Sequence, residues 1–217
     1  MKPKSEVLAL IREVGLVPVV RAESKDEAVR AADAIREGGV PILEITMTVP
    51  GAVGVIEELA RRFGSGILVG AGTVLDAETA RTCILAGAAF VVSPATDAGT
   101  IACCRRHGVA VLPGALTPTE VLTAWTAGAD MVKVFPAGNV GGASYIKALK
   151  APLPQIELVP TGGVSLDTAA AFIQAGASAL GVGADLVDLK ALRSGQAATI
   201  TQKARRFLEI VREARAS

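Results

Sequence analysis

Apolar residues fall along this chain in two alternating rhythms. Short runs are apolar at nearly every position: residues 17–20, 42–45, 67–69, 89–92, 110–112, 131–134, 157–159 and 179–182. Between them apolar residues recur at helical spacing, as with Ala28, Ala31, Ala32 and Ile35, or Ile56, Leu59, Ala60 and Phe63. The first rhythm suits a strand buried on both faces, the second one face of a surface helix. Residues 6–14 form an additional helical pattern ahead of the first strand.

The boundaries are marked by punctuation residues. Gly38-Gly39, Gly87, Gly108, Gly128 and Gly176 each stand between a helical pattern and the next apolar run, where a left-handed cap ends a helix. The step from Gly87 to Gly108 to Gly128 is about twenty residues, the length of one strand plus one helix. Ser24-Lys25-Asp26-Glu27 and Thr117-Pro118-Thr119-Glu120 read as capping boxes, with Pro118 at the first helical position. Strands alternating with helices through the whole chain predict a single α/β domain over residues 1–217, a (β/α)8 TIM barrel with an extra N-terminal helix closing its bottom. An open doubly wound sheet is the competing arrangement; the count of eight strands and the lack of a dinucleotide fingerprint argue against it.

Composition narrows the function classes. About half of the 217 residues are apolar and the formal net charge is +1, which gives no reason to expect nucleic acid or an anionic membrane as partner. No apolar run reaches the roughly 20 residues needed to span a bilayer. The first residues lack the apolar core of a signal peptide, so a cytoplasmic location is expected. Cys83, Cys103 and Cys104 fit buried thiols in a reducing compartment, and one histidine without a CxxC pair leaves no basis for a metal site. His107 reads as a solvated residue at a helix end, Trp125 and Tyr145 as packing residues, and the basic terminal helix as a solvated charged face.

Two charges break the apolar pattern. Lys133 lies within Met131-Val132-Lys133-Val134-Phe135-Pro136, and Glu44 within Pro41-Ile42-Leu43-Glu44-Ile45-Thr46. Burial disfavours an ammonium, lowers its pKa and makes lysine a nucleophile that can form a Schiff base with a carbonyl. In a barrel, activity collects at the carboxyl ends of the strands. Those ends carry Arg21, Glu44, Thr46, residues 70–73, Ser93-Pro94, Pro113-Gly114, Lys133, Thr161-Gly162-Gly163 and Gly183-Ala184. The last two glycine-rich turns, each expected to lead into a helix, suit an anion such as phosphate.

These residues, in this order, resemble the bacterial 2-keto-3-deoxy-6-phosphogluconate (KDPG)/4-hydroxy-2-oxoglutarate (KHG) aldolase family. The matching motifs are Pro18-Val19-Val20-Arg21, Glu44-Ile45-Thr46, Gly70-Ala71-Gly72-Thr73-Val74, Ser93-Pro94, Pro113-Gly114, Lys133-Val134-Phe135-Pro136 and Thr161-Gly162-Gly163. The resemblance implies a class I aldolase without metal or cofactor, with Lys133 forming the imine and Glu44 as general acid/base. It also implies a small 2-keto acid substrate and a homotrimer. Arg21, Thr48, Thr73, Pro94 and Phe135 form the expected substrate-binding set, with Arg21 and Thr73 on the pyruvate carboxylate; Gly162, Gly163, Gly183 and Ala184 form the expected phosphate site. Two positions depart from the family pattern: Thr48 stands where many members carry an arginine, and Ala184 where many carry a serine. Alternative readings are an aldolase for the galactonate epimer or an unphosphorylated sugar acid, a phosphate-binding barrel isomerase or epimerase, and a non-catalytic ligand-binding barrel.

Overall fold

A computed structural model describes residues 2–216. The parallel strands are β1 (Leu16–Val20), β2 (Ile42–Thr46), β3 (Leu68–Gly72), β4 (Phe90–Val92), β5 (Ala110–Leu112), β6 (Gly114–Ala115), β7 (Val132–Val134), β8 (Leu158–Pro160) and β9 (Leu180–Val182). The helices are α1 (Lys4–Val14), α2 (Lys25–Glu37), α3 (Ala52–Phe63), α4 (Ala77–Leu85), α5 (Ala98–Arg106), α6 (Pro118–Ala127), α7 (Ala143–Lys150), α8 (Ala169–Gln174), α9 (Leu189–Arg193) and α10 (Ala198–Ala216).

Strand pairing runs β5-β4-β3-β2-β1-β9 and β6-β7-β8. The fifth predicted strand, residues 110–112, is β5; the ladder breaks after it, because Pro113 has no N–H to give, and resumes in the short β6. The Pro113 carbonyl still accepts from Lys133 N–H at 2.9 Å, which carries the pairing across the break. At the other seam a parallel bridge joins Thr161 to Gly181, and Ser178 N–H donates to Leu158 O at 2.9 Å. The strands therefore close into an eight-membered TIM barrel, as the sequence predicts.

Alternation along each strand sorts the core into two layers. Leu43, Ile45, Val69, Val91, Val111, Val132, Val134 and Leu180 face outward and pack with Ala28, Ala31, Ile35, Ile56 and Leu59 of the helices. Val17, Ile42, Leu68, Phe90, Ala110, Met131, Val159 and Ala179 fill the interior with Val7, Leu8 and Ile11 of α1. The extra helix is thus a plug at the amino ends of the strands. Lys4 pairs with Asp130 at 2.8 Å and Arg12 with Glu157 at 2.7 Å, fixing the plug to the ends of β7 and β8. These two ion pairs at the bottom are structural.

The three cysteines are free and buried; burial pushes the Cys83 thiol up to about 11 and Cys104 to about 12, so neither is a thiolate near neutrality. Tyr145 packs as expected, its hydroxyl donating to Leu116 O. Trp125 differs from expectation: it is 43% exposed on α6. Among the described residues no helix is long and apolar enough to cross a membrane, and no group of His, Cys, Asp and Glu could hold a metal ion.

Candidate active site

Lys133 occupies the middle of β7, between Val132 and Val134 of the outer layer, and so points into the barrel. It is 3% exposed. Its Nζ lies 5.0 Å from the centroid of the Phe135 ring. Desolvation pushes the Lys133 ammonium well below its ordinary value; the Glu44 carboxylate pushes it back up, and the Arg21 guanidinium lowers it further.

Glu44 sits on β2 with the same inward orientation, 2% exposed. Room for its side chain comes from the neighbouring strand. Gly72 lies in β3 beside β2, and a Cβ there would stand 1.8 Å from Glu44 Oε1. One layer below, Gly70 makes the same allowance for Phe90, whose ring would meet a Cβ at 2.3 Å. Phe90 thus floors the chamber and Gly72 opens it. Glu44 Oε1 is buried and accepts no hydrogen bond, the sole such side-chain atom among the described residues. An unpartnered buried carboxylate oxygen carries a desolvation cost that structural carboxylates avoid, and it marks a candidate functional group.

Around this pair the strand ends supply the mouth. Thr73, just past β3, has φ of +57°, unlike every other non-glycine residue described. For a β-branched side chain that conformation costs about 1–3 kcal/mol and is found where surrounding structure imposes it. Thr46 is buried, and its hydroxyl donates to Val20 O at 3.1 Å. The Thr48 hydroxyl, 2.7 Å from Thr46 Oγ1, must then donate to it. Exposed Thr48 therefore has its proton committed and offers a substrate only lone pairs. This differs from an arginine donor at that position. Pro94 closes over the break between β5 and β6, where a Cβ on Gly114 would come within 2.2 Å of its carbonyl. With Thr96, Leu116, Glu120 and Phe135 it lines a cleft of about 430 Å³.

Phe135 also lines a smaller cleft of about 110 Å³, shared with Arg21, residues 161–164, Gly181 and residues 183–185. Gly162 and Gly163 both have positive φ, +84° and +75°. Two successive left-handed residues turn the chain sharply and expose backbone N–H groups, a concavity suited to an anion. The expected helix does not follow directly: α8 begins only at Ala169. Thr168 Oγ1 accepts from Ser165 N–H at 2.9 Å and donates to Gly163 O at 3.0 Å, closing a side-chain turn first. Any anion here is held by the glycine turns rather than by a helix terminus. Arg21 lies at the same cleft; a Cβ on Gly183 would be 3.1 Å from its Nη1. The structure thus gathers Arg21 with the anion turns of Gly162, Gly163, Gly183 and Ala184, while Lys133 and Glu44 share the interior. The wall-making roles of Gly72 and Phe90 leave no signal in the sequence, where Gly72 reads only as part of a motif.

A larger hollow, about 580 Å³, lies at the barrel bottom among the ends of α3 and α4, with Lys2 and Ser65 as its polar side chains. It holds no paired ionisable groups and is remote from the strand ends that carry the chemistry.

The family model for KDPG and KHG aldolase matches residues 7–203. This chain belongs to that family. It is 33% identical over 205 residues to the 2-dehydro-3-deoxy-phosphogluconate aldolase of Treponema pallidum, covering 94% of this chain and 97% of the relative. It is 35% identical over 201 residues to the 2-dehydro-3-deoxy-6-phosphogalactonate aldolase of Escherichia coli K12, covering 92% and 95%. Among solved structures, the KDPG aldolase of Legionella pneumophila, with pyruvate captured at low pH as a covalent carbinolamine intermediate, superposes with a TM-score of 0.83 at 26% identity. That match covers 91% of this chain and 96% of the other.

Proposed function

We propose that this chain is a class I aldolase that cleaves a 2-keto-3-deoxy acid bearing a distal anion, KDPG or its galactonate epimer, to pyruvate and glyceraldehyde 3-phosphate. 4-Hydroxy-2-oxoglutarate, which gives glyoxylate, is a further substrate of the same chemistry. The observation that carries the reading is the inward pair itself: a buried lysine pushed toward its neutral form, sharing a chamber with an unpartnered carboxylate oxygen.

In the cleavage direction Lys133 Nζ attacks the C2 ketone and forms a carbinolamine. Loss of water gives an iminium that serves as the electron sink. Glu44 takes the C4 hydroxyl proton, the C3–C4 bond breaks, and its electron pair enters the iminium as an enamine. The aldehyde leaves; the enamine is protonated at C3 and hydrolysed to pyruvate and free Lys133. Thr73 orients the pyruvate portion and Phe135 and Pro94 wall it, which supplies the positional part of the rate. Thr48 accepts from a substrate hydroxyl. The glycine turns at residues 162–163 and 183–184 and the Arg21 guanidinium hold the distal anion. Arg21 takes this role, in place of the pyruvate carboxylate, on the strength of its approach to Gly183. With Ala184 contributing no hydroxyl, Arg21 carries more of that affinity. We further propose a cytoplasmic homotrimer in which each chain is one catalytic unit over residues 1–217.

The test is borohydride reduction with pyruvate followed by peptide mapping. A pyruvyl adduct on Lys133, lost in Lys133→Ala, is expected; a folded protein without an adduct overturns the reading in favour of a phosphate-binding isomerase. Turnover of phosphorylated against unphosphorylated acids then assigns the substrate.

A further inference from the structure

One buried carboxylate near the anion cleft takes no part in the chemistry above. Glu27 stands three residues after Ser24, where a capping box calls for a glutamate that folds back onto its own helix start. Glu120 does this, accepting from the N–H groups of Leu116 and Thr117 at 2.8 Å each. Glu27 does not. Ser24 still caps the Glu27 N–H, at 3.2 Å, but the Glu27 carboxylate reaches past it to the Glu23 N–H at 2.7 Å. Its two oxygens also take a forked contact from Arg193 of α9, Nε to Oε1 at 2.5 Å and Nη2 to Oε2 at 3.3 Å. Glu27 is 6% exposed, and the Arg193 hydrogen bond holds its carboxyl below the usual range, so it remains charged.

The cluster joins the segments that follow the neighbouring strands β1 and β9. Arg193 ends a segment that begins at Gly183, and this segment is internally braced. Val187 N–H returns to Gly183 O at 2.8 Å, and Asp188 accepts from Ala191 N–H at 3.0 Å and pairs with Lys203 of α10 at 3.1 Å. Arg30 of α2 donates to Leu192 O at 2.8 Å. After β1, Glu23 enters the cluster twice, through its N–H and through its carboxylate, 3.0 Å from Arg193 Nη2. Glu23 is two residues beyond Arg21. The same ion pair therefore fastens both loops that meet at the Arg21–Gly183 approach.

We propose that Glu27, through Arg193, is a positioning residue for the anion end of the substrate. It fixes the spacing between the Arg21 guanidinium and the Gly183–Ala184 backbone without touching the substrate. The inference rests on the aldolase reading. It predicts a specific division of effects, because only groups beyond C4 reach this cleft. Loss of the pair weakens capture of a distal anion in ground and transition state alike, which raises KM and spares kcat.

The experiment compares Glu27→Gln, Arg193→Gln and the double variant, each checked for a native melting transition. Phosphorylated and unphosphorylated 2-keto-3-deoxy acids are assayed alongside borohydride trapping of pyruvate on Lys133. Each single variant is expected to raise KM for the phosphorylated acid by about five- to tenfold, with kcat within about twofold and the double variant no worse than the weaker single. KM for the unphosphorylated acid and trapping of pyruvate stay unchanged. Should Glu27→Gln fail to fold, Arg193→Gln alone carries the comparison, since its side chain is 44% exposed. The proposal is overturned by an unchanged KM for the phosphorylated acid, or by an equal rise for both acids. Failure of the unsubstituted protein to trap pyruvate identifies a different fault, in the aldolase reading itself.

Discussion

At the scale of single residues, the site rests on two charges denied their usual partners. Lys133 is pushed below the ordinary lysine value of 10.5, chiefly by burial and further by Arg21, against the pull of Glu44. The neutral amine is therefore populated at lower pH than in a solvated lysine. The sign of each neighbour's effect gives a test. Removing the positive charge in Arg21→Gln lets the lysine pKa rise, so the acid limb of Schiff-base formation at saturating pyruvate should move to higher pH. Stopped-flow or trapping rates across pH would show it; an unmoved or downward-moved limb contradicts the role given to Arg21. The same depression has a stability consequence. Unfolding restores the value to 10.5, so the unfolded chain binds more protons between the two values, and folded stability rises with pH across that window. Both charges are visible in the sequence, because an ionisable residue inside an apolar run violates the pattern around it. The commitment of the Thr48 proton to Thr46 is not visible, since it depends on the Thr46 hydroxyl being drawn to Val20 O.

At the scale of elements, the strands shape the chamber by what they omit. β3 places Gly70 and Gly72 on its inner face, and each leaves volume that a neighbour fills: the Phe90 ring under one, the Glu44 carboxylate beside the other. Adding a methyl at Gly72 puts Cβ into the carboxylate while leaving an ordinary backbone conformation undisturbed. Gly72→Ala is thus expected to fold, to retain the pyruvate adduct on Lys133, and to lose about 10²-fold or more in kcat, the contribution of a misplaced acid/base group. Wild-type kcat would show that Glu44 works from another position. The plug helix makes the complementary prediction at the barrel's other end. Ile11 is fully buried against the inner layer, so Ile11→Ala should lower unfolding free energy by about 2–5 kcal/mol, measured by denaturant titration. Strand and helix positions are legible because their periodicities differ, and the left-handed glycines at 39, 87, 108, 128 and 176 stand where the punctuation indicates. The break at Pro113, the late start of α8 and the diversion of Glu27 to Arg193 are not. The first two turn on local details that the apolar pattern does not register, a missing Pro113 N–H and the Thr168 side-chain turn, while the third is decided by a contact between segments 166 residues apart.

At the scale of the whole molecule, closure of the ring makes the site. Lys133 on β7 and Glu44 on β2 are almost ninety residues apart, and only a closed barrel turns both inward over Phe90. The outer surface poses the remaining question. Leu75, Leu85, Leu122 and Trp125 are 64%, 68%, 45% and 43% exposed, large apolar side chains that the barrel does not cover. Scattered apolar residues need no explanation, yet Leu122 and Trp125 lie three apart on one face of α6 and together present an apolar ridge. Net charge of +1 supplies almost no repulsion between copies. Association through such surfaces removes apolar area from water, which favours an oligomer over the free chain. The trimer proposed above then fixes a mass of about three times the 22.0 kDa chain, read by light scattering after size exclusion at low and high salt. Because apolar burial is insensitive to screening, that mass should hold at both ionic strengths. A single-chain mass at both overturns the trimer, and dissociation only at high salt would assign the contact to charges instead of to the ridge on α6.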